Sequence, residues 1–336
     1  MSKTLCFGEL LLRFSPSADG EWLQHNMMPA FVGGAEANVA TALALWGQQV
    51  GYCTALPDNF LSKQLANYLS KKNIDTSAIH YSGSRVGLYY LLQGTDVKNS
   101  GVIFDRAGSS FAQLKKGMIN WDEVFEGITW FHFSAIAAAL SQSAAEVCEE
   151  ALQAASSKGI TISVDLNYRN KLWQYGKQPI EVMPGLVKYC NLVMGNLWAA
   201  NVMLGIPLDE TLIKKDEQQS YLQQATITSK TIQQQFPNVN TVANTFRFSI
   251  NEGIQYYTTL FTDKLFVSAK YTSDKVLDKV GSGDCFMGGL IYGLSNGHEA
   301  QQALNFATAA AYNKLFIKGD TTNQTVNQIT ATIKNV

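Results

Sequence analysis

Charge is scarce in this chain. Of its 336 residues only 16% are Asp, Glu, Lys or Arg, and the formal net charge is −1. So even a balance carries no basic stripe for nucleic acid and no lysine-rich face for an anionic membrane, and neither is an expected partner. Histidine is rarer still, four in all, which leaves a histidine-based metal site little to draw on. The five cysteines (Cys6, Cys53, Cys148, Cys190 and Cys285) are odd in number and scattered, with no C-x-x-C pair. They read as reduced, mostly buried thiols of a cytoplasmic protein. No apolar run reaches the length of a membrane span. The run Met1 to Gly8 is interrupted too soon for a signal peptide, which adds to the expectation of a cytoplasmic location.

What is present is apolar and punctuated by glycine. With 46% hydrophobic residues the chain can bury a large core, and its length suits one large α/β unit. Leu5 to Gly8 and Leu10 to Phe14 read as one strand that opens a sheet and runs outward; 15–28 reads as a loop or excursion. The glycine pair Gly33-Gly34 opens a helix of small residues that Gly47 closes. A strand is predicted over 49–56 and an amphipathic helix over 61–72. Two strand-like runs, Gly87 to Gln93 and Gly101 to Arg106, are joined by a polar turn, a hairpin signal. With 10–14 and Phe31-Val32 they suggest a small sheet standing off the body, able to act as a lid. From Trp121 onward strand and helix alternate: strands over 128–133, 160–166, 192–195 and 239–246, helices over 141–158 and 197–204, a helix that ends over 186–189, a solvated Gln-rich helix over 216–235, and a hairpin over 255–266. This rhythm predicts a doubly wound, mostly parallel sheet flanked by helices, with ligands at the carboxyl ends of the strands. Gly33-Gly34, Asp165, Asn196 and Gly281 to Asp284 all fall at such ends.

The stretch with the most chemistry is Asp278-Lys279-Val280-Gly281-Ser282-Gly283-Asp284, followed by the small and apolar run Cys285 to Gly293. Glycines on both sides of a serine let the backbone turn tightly and aim several N–H groups one way. At a helix start those donors add to the macrodipole and seat an anion such as a phosphate. Asp284, in that first turn, is placed to be held ionised and to take a proton from a sugar hydroxyl as a phosphoryl group arrives. The plain alternative is a flexible turn with a capping acid. The apolar character of the following run, which marks a central helix, and the second glycine pair far upstream favour the anion seat.

With both glycine motifs placed, the chain resembles the ribokinase-like (PfkB) carbohydrate kinases over essentially its whole length. Gly33-Gly34 with Asn38 and Ala40 is similar to that family's first motif, and Asp278 to Asp284 to its second, Asp-Thr-x-Gly-Ala-Gly-Asp. Within the family it is most similar to the 2-keto-3-deoxygluconate kinase subgroup. Asp165-Leu166-Asn167-Tyr168-Arg169 through Leu172-Trp173, Phe104-Asp105-Arg106-Ala107-Gly108-Ser109, and the basic Lys279 in place of threonine carry that narrower likeness. The resemblance implies a single ribokinase-like domain over 1–336, with a lid formed near 9–33 and 85–107. It implies ATP and Mg²⁺ as cofactors, and a homodimer or higher homo-oligomer through the lid. It implies Asp284 as general base and the N–H groups of Gly281, Ser282 and Gly283 as an oxyanion hole. The sugar site would comprise Gly33, Gly34, Asn38, Tyr89 and Phe104, with Arg106 and Arg169 binding the acid's carboxylate. Asn196, Arg247, Gly281, Gly283 and Asn313 would face the nucleotide, with 309–313 lining its pocket; no metal ligand is assigned, Asn196 being at most a neighbour of a hydrated Mg²⁺.

The departures matter as much. Ala199 stands where the family's Asn-x-x-Glu motif has its glutamate, and Phe104 replaces a tyrosine that would donate a hydroxyl to the sugar. Ser282 for alanine changes little, because the seat uses backbone groups. Asn38 reads equally as a sugar contact or a packed helix residue, Tyr89 as a sugar contact or a lid-core aromatic, and Arg169 as a carboxylate clamp or a partner of Asp165. A kinase of a neutral sugar such as fructose or ribose, and a non-catalytic relative that binds a sugar acid or nucleotide, are the alternatives.

Overall fold

The computed structural model describes residues 3–17, 24, 27–93, 101–214, 217–250 and 253–333. Its strands in chain order are β1 (Lys3–Phe7), β2 (Leu11–Phe14), β3 (Ala30–Gly33), β4 (Gln49–Leu56), β5 (Ile74–Asp75), β6 (Ile79–Tyr81), β7 (Gly87–Tyr90), β8 (Ile103–Asp105), β9 (Trp130–Ser134), β10 (Thr161–Asp165), β11 (Leu192–Gly195), β12 (Thr241–Ile250), β13 (Gly253–Phe261), β14 (Leu265–Val267) and β15 (Tyr271–Ser273). The larger sheet runs β14-β13-β12-β11-β10-β9-β1-β4-β5, with β6 beside β4 and β15 beside β13. From β12 to β5 every pairing is parallel; β13, β14 and β15 add an antiparallel edge. The expected doubly wound architecture is the observed one.

Parallel strands covered on both faces need apolar residues on both faces, and the side-chain period of two shows how they are shared. Leu5 and Phe7 of β1 pack into one helical layer with Phe131, Phe133, Ile162 and Val164. Cys6 points the other way, toward Leu192 and Met194 and the layer built by the helices Ala35–Leu45, Ser282–Ser295 and Ala300–Lys314. Small residues let those three helices approach closely. A Cβ at Gly289 would stand 2.5 Å from Ala307 Cα, and one at Gly288 would stand 3.2 Å from Ala42 Cβ. All five cysteines are free and buried. Among the described residues no helix is long and apolar enough to cross a membrane.

The second sheet, ordered β3-β2-β7-β8, is the small one expected from the hairpin signal. The polar turn proposed between β7 and β8 and most of the 15–28 excursion lie outside the described residues, as does Asp216. Two boundaries differ. The strand expected over 239–246 runs on to Ile250. The run read as a single strand from Leu5 to Phe14 is two strands in two sheets, β1 and β2, split at Gly8 to Leu10. Glu9 holds the break: its carboxylate, buried at 2% exposure, accepts from Arg106 Nε at 2.5 Å and from the Ser109 hydroxyl. The Gln-rich helix, Gln218–Gln235, is also less solvated than its composition suggests. Gln224 is fully buried, accepting from Asp209 N at 2.8 Å and donating to Pro207 O and Thr228 Oγ1. Its polar groups bond to one another and to the backbone, so a polar face can be an inner face.

Candidate active site

A cavity of about 310 Å³ opens at the carboxyl ends of the parallel strands, where the small sheet leans over them. Its floor is the 278–284 loop. Asp278 Oδ1 accepts from Val280 N at 3.0 Å, and Oδ2 accepts from Gly319 N at 3.0 Å. Gly281 lies at φ +77°, and a Cβ there would collide with the backbone oxygen of Asp320, so only glycine fits this turn. The Ser282–Ser295 helix begins at once, its ladder opening with Cys285 N to Gly281 O at 2.8 Å. The N–H groups of 282–284 therefore precede the first intrahelical bond and face the cavity as an anion seat. Ser282 contributes its backbone to this seat, since its hydroxyl donates to Ala311 O at 3.1 Å.

Asp284 stands in that first turn at 9% exposure, and Asn38 Nδ2 donates to its Oδ2 at 2.7 Å. Burial pushes its carboxyl up to about 8, the charges of Asp165 and Glu36 push the same way, and the Asn38 bond and Arg169 oppose them. The expected ionised acid is thus protonated at neutral pH in the unliganded chain, because desolvation outweighs the donors around it. Asn38 does what neither of its two sequence readings proposed: it orients the acid. Its Oδ1, with no partner among the described residues, remains an acceptor.

The cavity brings together Gly34, Asn38, Tyr89, Phe104, Arg106 and Arg169 from four distant parts of the chain, together with Asn196, Arg247 and Gly281 to Asp284. Two residues fall elsewhere. Gly33 ends β3 against Leu11 and Asp320, and the half-buried Asn313 donates to the Thr332 hydroxyl at 2.9 Å. Of the segment 309–313, Ala309 to Ala311 are core residues. Asn196 caps the Leu197–Leu204 helix, its Oδ1 accepting from Ala199 N at 2.8 Å. Arg106 shares its charge with Glu9, and Arg169 donates to Tyr168 O at 3.0 Å.

Two lining residues carried no sequence signal of their own, Trp198 and Asp320, while Asp165, read only as a strand end and the start of a motif, also lines the cavity. Asp320 is 4% exposed and bonded to Arg13, whose Nε donates to Oδ1 at 2.7 Å, while Tyr89 donates to Oδ2 at 3.3 Å. Arg13 also reaches Asp278 at 3.3 Å, and Lys314, fully buried, donates to Ile317 O between the charges of Asp278 and Asp320. Two cations and two carboxylates thus tie β2 of the small sheet to the loop that forms the anion seat. Among the described residues no three His, Cys, Asp or Glu side chains gather into a metal cage. That donor set fits a Mg²⁺ carried by phosphates and water with one or two carboxylates, of which Asp165 in the cavity can be one.

Residues 1–325 match the family described as pfkB family carbohydrate kinase. The crystal structure of 2-dehydro-3-deoxygluconokinase from Thermotoga maritima aligns with a TM-score of 0.88 at 33% identity, covering 98% of this chain and 99% of that one. The 2-dehydro-3-deoxygalactonokinase of Haloferax volcanii is 32% identical over 173 residues, 51% of this chain and 54% of the relative, so the match spans about half of each. The 5-dehydro-2-deoxygluconokinase of Clostridium tetani is 25% identical over 309 residues, 90% of this chain and 84% of the relative.

Proposed function

Since the chain belongs to the pfkB family of carbohydrate kinases, we propose that it transfers the γ-phosphoryl group of ATP to the 6-hydroxyl of 2-keto-3-deoxygluconate. The observation that carries this reading is the convergence of Arg106 and Arg169 on one cavity with Asp284 and the glycine-bounded helix start. Planar guanidinium groups bind carboxylates through paired, charge-assisted hydrogen bonds, and a neutral sugar has no use for two of them. The names of the three relatives above, all kinases of dehydro-deoxy sugar acids, support it too.

In this mechanism Asp284, once deprotonated, takes the proton of the 6-hydroxyl. The O6–Pγ bond forms as the bond from Pγ to the β,γ-bridging oxygen breaks, and ADP leaves with the electron pair. The N–H groups of Gly281, Ser282 and Gly283 face the oxygens on which charge develops, and one such donor contributes about 3 kcal/mol. Asn38 holds Asp284 in place, and Tyr89 and Gly34 shape the sugar site. Mg²⁺, when bound, neutralises charge on the phosphates. The small sheet serves as a lid that keeps water from competing with the sugar.

A coupled ATPase assay across 2-keto-3-deoxygluconate, its galactonate-derived epimer, 5-dehydro-2-deoxygluconate, fructose and ribose, with and without Mg²⁺, tests the proposal. The first should give the highest kcat/KM, and the acids should exceed the neutral sugars by at least about 100-fold. Fructose or ribose as the best substrate would show the acid reading to be wrong.

A further inference from the structure

Lys279 is the one basic residue of the 278–284 loop and takes no part in the mechanism above. It is half-buried and lines the cavity, yet among the described residues its ammonium makes no hydrogen bond or ion pair. Its neighbours fix its direction. Asp278 is turned inward, held by Val280 N, Gly319 N and Arg13. Val280 is buried against Leu11, Tyr89, Leu91 and Val102 beneath the small sheet. With the residues on both sides anchored inside, Lys279 is left to line the cavity. The backbone N–H groups of the anion seat begin immediately after Val280, within reach of a lysine's four-carbon stem.

A half-buried cation without a carboxylate, beside an anion seat, points to an anionic ligand. The other cavity cations are differently placed: Arg106 is matched by Glu9, and Arg169 after β10 and Arg247 in β12 stand on separate parts of the chain. Ala199, which also lines the cavity, offers no acid to satisfy the ammonium. A compact, rotatable ammonium suits a phosphate approached as a point charge, whereas the planar fork of arginine suits a carboxylate.

We propose that Lys279 is a catalytic residue that contacts the γ-phosphoryl oxygens of the bound nucleoside triphosphate and follows them into the transition state. This rests on the reading of the cavity as an ATP-dependent kinase site. The role is electrostatic: the ammonium keeps its protons and stabilises charge as the phosphoryl group moves from the nucleotide to the acceptor oxygen.

The test uses the full chain as wild type, Lys279→Met and Lys279→Arg. Lys279→Met should lower kcat about 100-fold, the scale of losing one charge-stabilising donor, with KM for the sugar acid within twofold of wild type. Lys279→Arg should recover at least tenfold of that loss. Calorimetric titration gives a readout independent of turnover: Lys279→Met should weaken binding of the non-hydrolysable triphosphate AMP-PNP about tenfold and of ADP less than twofold. A variant with wild-type kcat and wild-type AMP-PNP affinity would overturn the assignment. So would a raised KM for the sugar acid with nucleotide parameters unchanged, which would place the lysine on the carboxylate instead. Should Lys279→Met melt more than about 5 °C below wild type, Lys279→Thr replaces it, with the same thresholds. If wild type itself neither binds nor turns over ATP, the kinase reading fails first, which separates that outcome from failure of the Lys279 assignment alone.

Discussion

Substituting Asp284 by asparagine should stop turnover and at the same time make the protein more stable. The two carboxyl oxygens sit in a site dry enough to move the group from its usual 3.8 to about 8. A folded state that holds a proton more tightly than the unfolded chain is favoured by it fully below about pH 4, and that advantage disappears as pH rises toward 8. Asparagine never ionises and escapes the loss. At about 1.4 kcal/mol per pH unit, the difference between the two chains grows to about 4 kcal/mol by pH 7 and about 6 kcal/mol above pH 8. The Asn38 hydrogen bond is kept, since an amide oxygen accepts as a carboxylate does. A gain of about 4 kcal/mol at pH 7, in a chain of 336 residues, raises the melting temperature by about 6 °C. Urea and thermal melts of both chains at pH 5, 7 and 9 read this out, with the gap widening from pH 5 to pH 9. Burial also lifts Glu36, to about 7, and because its charge is one of those that raise Asp284, the melts are repeated with Glu36→Gln in both chains to separate the two titrations. A variant no more stable than wild type at pH 9 would refute the claim that desolvation governs this carboxyl. The same argument places the acid limb of wild-type kcat/KM near pH 8 in the free enzyme, and Asn38→Ala, which removes a donor to the charged form, should move that limb upward.

Arg13→Leu leaves the carboxylates of Asp320 and Asp278 without their buried guanidinium, and should cost about 3–5 kcal/mol in urea unfolding; a loss under 1 kcal/mol would mean that the network does not tie the small sheet to the anion-seat loop. Two glycines a residue apart should behave oppositely. Gly281→Ala meets the Asp320 carbonyl at positive φ and should lose at least about 100-fold in kcat, by the coupled assay on chain shown to be folded by circular dichroism. Gly283→Ala, whose methyl would come no nearer than 3.8 Å to Met194, should gain about 0.5–1 kcal/mol in stability as a better helix former, while its methyl in the cavity raises KM for ATP. Arg106→Ala should both cripple kcat/KM for the acid sugar and destabilise the chain by about 3 kcal/mol through the stranded Glu9, and Arg106→Lys should restore stability better than activity, since it returns the charge without the fork.

What was legible in the sequence was what neighbouring residues express together. The glycine turn at 281–283 announces itself because only glycine tolerates that backbone, and the apolar run after it because a helix buried on nearly all sides needs one. Leu192–Gly195 and Thr161–Asp165 were found within a residue because they are short apolar runs bounded by turn residues, whereas Thr241–Ile250 runs four residues past its expected end. What was not legible is the charge network beneath the seat. Arg13 and Asp320 stand 307 residues apart, Arg106 and Glu9 97 apart, and no local pattern marks such pairs. One clue was nonetheless present. In β2 the side chains alternate, so Arg13 shares the inward face with Leu11, and an arginine at a core-facing strand position requires a buried carboxylate from somewhere. Asp278, the acid that opens the glycine motif, is one of the two it reaches. The first residue of that motif is therefore bound to the small sheet rather than to the phosphate, and the seat's geometry depends on where that sheet lies. Perturbing the small sheet at Arg13 should accordingly lower kcat as well as stability, even though Arg13 does not line the cavity.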